Sequence, residues 1–143
     1  AAIAAGFGND LYVLQSLESS VGLCGLAYQG RNDIDDIIPS SHRSSDLGGR
    51  KPNLVVSLFA QQGSGRDDFI SWYQSDDNTL LPQWQRRIAS SDVILQANQS
   101  IDSWLEQAEQ LISKLPAQLQ PVVHELVCLN KAGETARRQE RIA

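Results

Sequence analysis

The segment that decides the fold class runs from Ser91 to Leu115 and has the sequence SDVILQANQSIDSWLEQAEQLISKL. One apolar series recurs in it every seven residues, at Ile94, Ile101, Ala108 and Leu115. A second series follows three residues later in each repeat, at Ala97, Trp104 and Leu111. Residues three and four apart share one face of a helix, so the pattern predicts an amphipathic helix about 35 Å long.

The apolar stripe of this helix also predicts which side chains are buried. We expect five of them to be largely buried: Ile101, Trp104, Ala108, Leu111 and Ile112. Truncating Trp104 to alanine is then expected to cost about 3–5 kcal/mol through the cavity that it leaves. The seven-residue spacing is also that of coiled coils, so the stripe is a candidate seat for a second copy.

Shorter apolar patterns predict the other helices of a mainly α bundle with four to five helices. A first helix, capped by Asn9 or Asp10, is expected to end near Tyr28, with its apolar side at Leu11, Leu14, Leu17, Val21, Cys24 and Tyr28. Further helices are predicted within 52–62, after Asp67 or Asp68, from Pro82 towards Ser90, and from Pro121 onwards. The last is expected to bury Val122, Leu126, Leu129 and Ala136, with a break at Asn130 or Gly133. The alternative is an α+β fold with a short strand near 53–60, because Val55 and Val56 favour strands.

Residues 29–51 differ in composition and predict a long polar loop within a single helical domain that spans 1–143. The few apolar residues there offer little surface to offset the entropy of ordering the chain, so we expect a mobile loop. Three aspartates lie within Asn32–Asp36, but the spacing of an EF-hand is missing. The acidic residues therefore predict an exposed turn.

Composition limits the classes of partner. The net charge is −5 and the isoelectric point is near 4.9, which argues against a nucleic-acid surface. No apolar run approaches the roughly 20 residues of a membrane-spanning helix. The chain has no Met, so we expect a processed or cut piece of a larger chain, and exported and cytoplasmic locations are equally compatible with it.

The cysteine and histidine pattern does not predict a metal site. His124 and Cys128 are four residues apart on one helical face, a spacing that suits zinc, but zinc needs three or four ligands. Two buried free thiols at Cys24 and Cys128 are favoured, and a disulfide between them is the alternative. The glycine-rich segment 63–68 lacks the Lys-Ser/Thr of a P-loop. No cofactor is expected.

Carboxylates and aromatic residues near the middle of the chain form a weak candidate ligand site. Its members are Asp67, Asp68, Trp72, Tyr73 and Trp84. Apolar pockets that also carry a few polar groups bind small molecules. The competing interpretation makes the aspartates helix caps and the tryptophans core residues.

The function predicted from these patterns is a non-enzymatic helical interaction or ligand-sensing module, such as a bacterial-type adaptor or an extracytoplasmic sensor domain. Its expected partner is another protein or a second copy. The alternative is a hydrolase-like enzyme domain whose site is assembled from dispersed residues, with Asp67, Asp68, His42 and His124 as candidates. No catalytic motif selects any of them.

Overall fold

The structure is a computed structural model, and it describes residues 11–38, 43–62 and 66–142, with side chains described as far as Lys131. These residues form helices and no strand. The helices are α1 (Leu11–Ile37), α2 (Ser45–Gly48), α3 (Leu54–Gln62), α4 (Arg66–Tyr73), α5 (Leu81–Ala89), α6 (Val93–Ile112) and α7 (Gln120–Ile142). The mainly α fold class is confirmed, and the region near 53–60 is helical, as the preferred interpretation had it.

Several boundaries differ from the predicted ones. The described residues contain seven helices where four to five were expected, and the predicted caps Asn9 and Asp10 lie outside the described residues. Helix α1 does not end near Tyr28 but continues to Ile37. The prediction of a long polar loop is therefore wrong for residues 29–37 and for α2, which are helical. Whether the segment is mobile stays a prediction.

The chain divides into two compact units. The middle unit is Gln29–Ser100, and the two-segment unit combines Ala1–Tyr28 with Ile101–Ala143. The composition changes at Gln29, where the sequence predicts a loop and not a boundary between units, and it does not change at Ser100. This division was therefore not predicted. The assignment of 1–143 to a single domain stays a prediction.

The middle unit is built around aromatic side chains. Helix α3 packs against α4 and α5, and α2 packs against α5. The rings of Phe59 and Phe69 meet edge to face with centroids 5.1 Å apart, and Phe69 meets Trp84 at 5.2 Å in the same way. Edge-to-face pairs of this kind add about 0.5–1.5 kcal/mol beyond the burial of their area. Around them lie the buried aliphatic side chains Ile34, Ile37, Leu47, Val55, Val56, Leu81, Ile88, Val93 and Ala97.

The two-segment unit has a different kind of core, made of aliphatic and small side chains. Its buried cluster consists of Leu115, Leu119 and Val123, and the partly buried residues Val13, Leu17 and Ile112 pack against it. On the part of α6 that belongs to this unit, the buried residues are Ile101, Leu105 and Ala108. Trp104, Leu111 and Ile112 are only partly buried, so the prediction for these three is too strong. Trp104 and Leu111 lie at one edge of the stripe, where less of the side chain is covered.

The buried face of α1 is not the one that the apolar pattern indicated. Its buried side chains include Ser16, Ser20, Cys24 and Ala27, whereas Leu11, Val21 and Tyr28 are exposed. Burial of Ser20 is tolerated because its hydroxyl donates a hydrogen bond to the carbonyl of Leu17. Large apolar side chains therefore remain on the outside of this helix.

Helix α7 shows the same displacement. It buries Val123 and Val127, while Val122 and Leu129 are exposed, so the predicted face is wrong by about one residue, or 100°. Leu126 is partly buried, and the side chain of Ala136 lies outside the described ones. No break occurs at Asn130, whose side-chain amide donates to the carbonyl of Leu126, or at Gly133.

Candidate interaction surface

The five residues of the predicted ligand site do not form an exposed aromatic platform. Trp72 and Trp84 are each 7% exposed, and their rings stack at 6.1 Å in the core of the middle unit. Tyr73 is partly buried, and Asp67 and Asp68 are exposed in the first turn of α4. Carboxylates in a first turn interact favourably with the helix dipole, which supports the interpretation of these five residues as structural. The ligand site itself stays a prediction.

Arg50 fixes the loop after α2 to the end of α4, a role that its place in the sequence did not suggest. Its guanidinium carbon lies 4.1 Å from the centre of the Trp72 ring. Its Nε donates to the carbonyl of Tyr73 at 2.8 Å, and its Nη2 donates to the carbonyl of Ser75 at 2.9 Å. Arg50 also has a φ of 55°, a left-handed conformation that costs free energy in a residue with a Cβ. The many hydrogen bonds of its guanidinium offset that cost.

A network of hydrogen bonds centred on Asp36 connects the last turn of α1 to the first turn of α2. The carboxylate of Asp36 accepts hydrogen bonds from the hydroxyls of Ser44 and Ser45 and from the backbone N–H groups of Ser45 and Asp46. Partial burial pushes the pKa of Asp36 upwards, but these hydrogen bonds together outweigh burial and hold the pKa below its ordinary value. The acidic cluster is therefore not the exposed turn that the sequence predicted.

Two amide side chains complete this network. Gln85 accepts from the N–H of Ser44 at 2.8 Å and donates to the carbonyl of Ile37 at 3.1 Å. Asn53 accepts from the N–H groups of Val55 and Val56 and so caps α3. The contacts of Asn53 have a signal in the sequence, because Asn is a common residue at the position before a helix. The contacts of Gln85 have no local signal, because they join residues more than forty positions apart.

The two-segment unit has an open groove of about 750 Å³ between α1 and α6, which we call the α1–α6 groove. Its lining consists of Glu18, Ser19, Gly22, Leu23, Leu26, Gln107, Gln110, Leu111 and Lys114. The apolar part is contributed by three leucines, of which Leu26 is 50% exposed. The polar residues of the lining are uncharged except for Glu18 and Lys114.

Gly22 gives the groove its depth on the side of α1. A Cβ built on Gly22 would meet no atom within 4 Å, and the same holds for Gly25, which does not line the groove. Both glycines weaken the helix by about 1 kcal/mol relative to alanine. At both positions there is room for a larger side chain, so packing against neighbouring atoms does not explain why the residue is glycine.

A second depression, of about 530 Å³, lies within the middle unit. Its lining is mostly polar: Phe59, Gln62, Arg87, Ser90, Ser91, Asp92, Val93 and Gln96. None of the five residues of the predicted ligand site lines it or the α1–α6 groove.

The two cysteines are free and differ in exposure. Cys24 is buried, and desolvation raises the pKa of its thiol. Cys128 is exposed, so the prediction of two buried thiols is right for Cys24 and wrong for Cys128. The Sγ atom of Cys128 lies 3.6 Å from Nε2 of His124.

The dispersed enzyme site stays a prediction. Asp67 and Asp68 belong to the middle unit and His124 to the two-segment unit, and His42 lies outside the described residues. Within the described ranges, no three His, Cys, Asp or Glu side chains are grouped so that they could hold a metal ion.

Comparison with known proteins found no matching family model, no matching curated protein and no matching solved structure. Among the helices of the described ranges, none combines the length and apolarity that crossing a bilayer requires. Function is therefore inferred from the surfaces of the molecule itself.

Proposed function

We propose that the chain is a non-enzymatic helical interaction module, which binds an amphipathic helix of a protein partner in the α1–α6 groove. The observation that carries the proposal is the open, leucine-lined groove of the two-segment unit. Grooves between helices are a common seat for the apolar face of a partner helix.

The dimensions of the groove suit a helix better than a small molecule. Along α1 the lining extends from Glu18 to Leu26, a span of nine residues or about 12 Å. That distance matches about two turns of a bound helix, enough for apolar anchors at positions i, i+4 and i+7. A small ligand would leave much of so open a surface in contact with water.

The charges at the groove indicate what kind of helix it accepts. Glu18 and Lys114 are the two charged residues of the lining and have opposite signs. The partner helix is therefore not selected by net charge, and its affinity comes mainly from burial of leucine side chains. We expect the dissociation constant to change little between low and physiological salt.

Exposed apolar side chains elsewhere on the same unit support the same function. Leu11 and Tyr12 on α1 and Leu129 on α7 are more than half exposed. A single exposed apolar residue is normal on a protein surface. The middle unit has fewer such side chains, Leu80 and Leu95, than the two-segment unit.

The test is a displayed library of short amphipathic helices, selected for binding to the full chain. The blocking variant is Gly22→Leu, whose new side chain enters open space and fills the groove. The matched control is Gly25→Leu, which adds the same side chain to open space on the same helix outside the groove lining. Both changes replace glycine by a better helix former, so neither is expected to unfold the protein.

We expect the selected helices to bind the wild type and Gly25→Leu alike and to lose at least about tenfold in affinity, about 1.4 kcal/mol, for Gly22→Leu. Equal binding to all three proteins would contradict the proposal. Failure to enrich any helix against the wild type would contradict it as well.

A further inference from the structure

His124 and Cys128 are presented together on the outer face of α7. The two residues are four positions apart, both are exposed, and Sγ of Cys128 lies 3.6 Å from Nε2 of His124. The opposite face of the helix carries Val123 and Val127, which are completely buried. Neither His124 nor Cys128 lines the α1–α6 groove, so the pair is independent of the proposed function.

The separation of the two atoms is the one that a tetrahedral metal ion requires. Zinc binds cysteine sulfur at about 2.3 Å and histidine nitrogen at about 2.0–2.1 Å. With a tetrahedral angle between these bonds, sulfur and nitrogen lie about 3.5–3.6 Å apart. The pair in the structure already has this separation, so little rearrangement is needed for both atoms to bind one ion.

We propose that His124 and Cys128 form half of a zinc site, which a second copy of the chain completes with the same two residues. Two ligands alone do not hold zinc firmly, and the described part of the chain groups no third His, Cys, Asp or Glu with them. Because the pair faces away from the core of its own unit, the missing ligands come from another molecule. A twofold axis through the ion supplies two sulfurs and two nitrogens, the ligand set of many structural zinc sites.

Binding has a defined proton balance. The thiol of Cys128 loses its proton to solvent when sulfur binds the ion, so two protons are released for each shared site. Nε2 of His124 binds through its lone pair, which requires the ring proton to be on Nδ1. Cys24 does not compete, because it is buried and burial raises its pKa.

The experiment is a titration of the full, reduced chain with Co²⁺, followed by absorption spectroscopy and sedimentation velocity. Cobalt serves as the probe because tetrahedral Co²⁺ bound to sulfur absorbs in the visible and also shows sulfur-to-cobalt charge transfer. We expect both signals to saturate at one Co²⁺ per two chains, at the same concentrations at which a dimer forms. Zn²⁺ is expected to displace the cobalt and keep the dimer.

Substitutions of His124 and Cys128 test whether these two residues bind the cobalt. Cys128→Ser is expected to abolish the charge-transfer band, and His124→Ala is expected to abolish metal-dependent dimerisation. The matched controls are Cys24→Ala and His42→Ala, which change the other cysteine and the other histidine of the chain and should leave both signals intact. Circular dichroism verifies that each variant is folded.

Three outcomes would overturn the inference. The first is saturation at one metal ion per chain in a monomer. The second is a spectrum of octahedral cobalt without charge transfer from sulfur. The third is binding that survives both Cys128→Ser and His124→Ala.

Discussion

The two units of the molecule use their apolar residues in opposite ways. In the middle unit the aromatic side chains Phe59, Phe69, Trp72 and Trp84 are buried, although Leu80 and Leu95 are exposed. Hydrogen bonds of serine, aspartate, asparagine, glutamine and arginine side chains connect its helices. In the two-segment unit small side chains such as Ser16, Ser20 and Ala27 are buried, while Leu26 and Leu129 are 50% and 61% exposed. The difference suggests that the middle unit is specialised for stability and that the surface of the two-segment unit is available for binding.

The largest expected effect compares one aromatic side chain from each unit. Phe69, in the middle unit, is 1% exposed and contacts four other rings. We expect Phe69→Ala to lower the free energy of unfolding by about 3–5 kcal/mol through the cavity that it leaves. Trp104, in the two-segment unit, is only partly buried. Its replacement by alanine should cost less, about 2 kcal/mol, because part of its area is already in contact with water.

Urea denaturation of the two variants measures this difference. A loss for Trp104→Ala equal to that for Phe69→Ala would show that the cores of the two units are equally well packed, and the contrast between the units would then be wrong.

Two arginines of the middle unit test the contribution of the polar network. Arg50 and Arg87 both stack on tryptophan rings, at 4.1 Å from Trp72 and 4.7 Å from Trp84. Arg50 in addition donates to the backbone carbonyls around the end of α4. We expect Arg50→Lys to cost about 2 kcal/mol, since an ammonium cannot reproduce the planar donor set.

Arg87→Lys is the matched control, because it makes the same change at an exposed arginine that stacks on a tryptophan of the same unit. Its expected cost is below about 1 kcal/mol. Thermal melts measure the stability of the two variants. Similar losses would contradict the larger contribution assigned to Arg50.

The hydrogen bonds to Asp36 predict a pH dependence of stability. Its pKa is lower in the folded protein than the ordinary value of 3.8. Its carboxylate therefore stabilises the fold above that value, and the contribution is lost as pH falls through the lower folded value. We expect Asp36→Asn to cost about 1–2 kcal/mol at neutral pH.

The difference in unfolding free energy between Asp36→Asn and the wild type should shrink as the pH is lowered below about 4. Asp102→Asn, a change at an exposed site on α6, controls for the loss of one negative charge. A difference that stays constant with pH would contradict the role assigned to Asp36.

The smallest effect concerns proteolysis within 29–51. Cleavage by trypsin requires the chain to open locally. Arg31 is buried within α1 and Arg50 is partly buried, whereas Arg43 is exposed. We expect Arg43 to be cut first among these three, with Lys51 protected by the following Pro52, and mass spectrometry identifies the fragments. First cleavage at Arg31 or Arg50 would show that the network does not hold this segment.

The sequence predictions were accurate where the structure depends on contacts between residues close in the sequence, and they failed where it depends on contacts between distant residues. The position of α6 was predictable, because it depends on residues three or four positions apart. For 54–62 the periodicity did not separate a helix from a strand, and helix was preferred because a single strand would have no partner to pair with. The helical state of 29–37 was missed, since Asp36 meets its partners eight to ten residues away. For the candidate surface, the leucines and glycines could be read from the sequence, but the groove that they line could not.

The sequence by itself determined that the chain is mainly helical and where α6 lies, because helix formation responds to local periodicity. It did not determine the end of α1, which lies at Ile37 and not near Tyr28. It also placed His124 and Cys128 four residues apart, which fixes that they share a helical face. Tertiary structure decided which face of each helix is buried, because burial depends on the neighbours that cover it and not on apolarity alone. Ser20 is inside and Leu129 is outside for that reason.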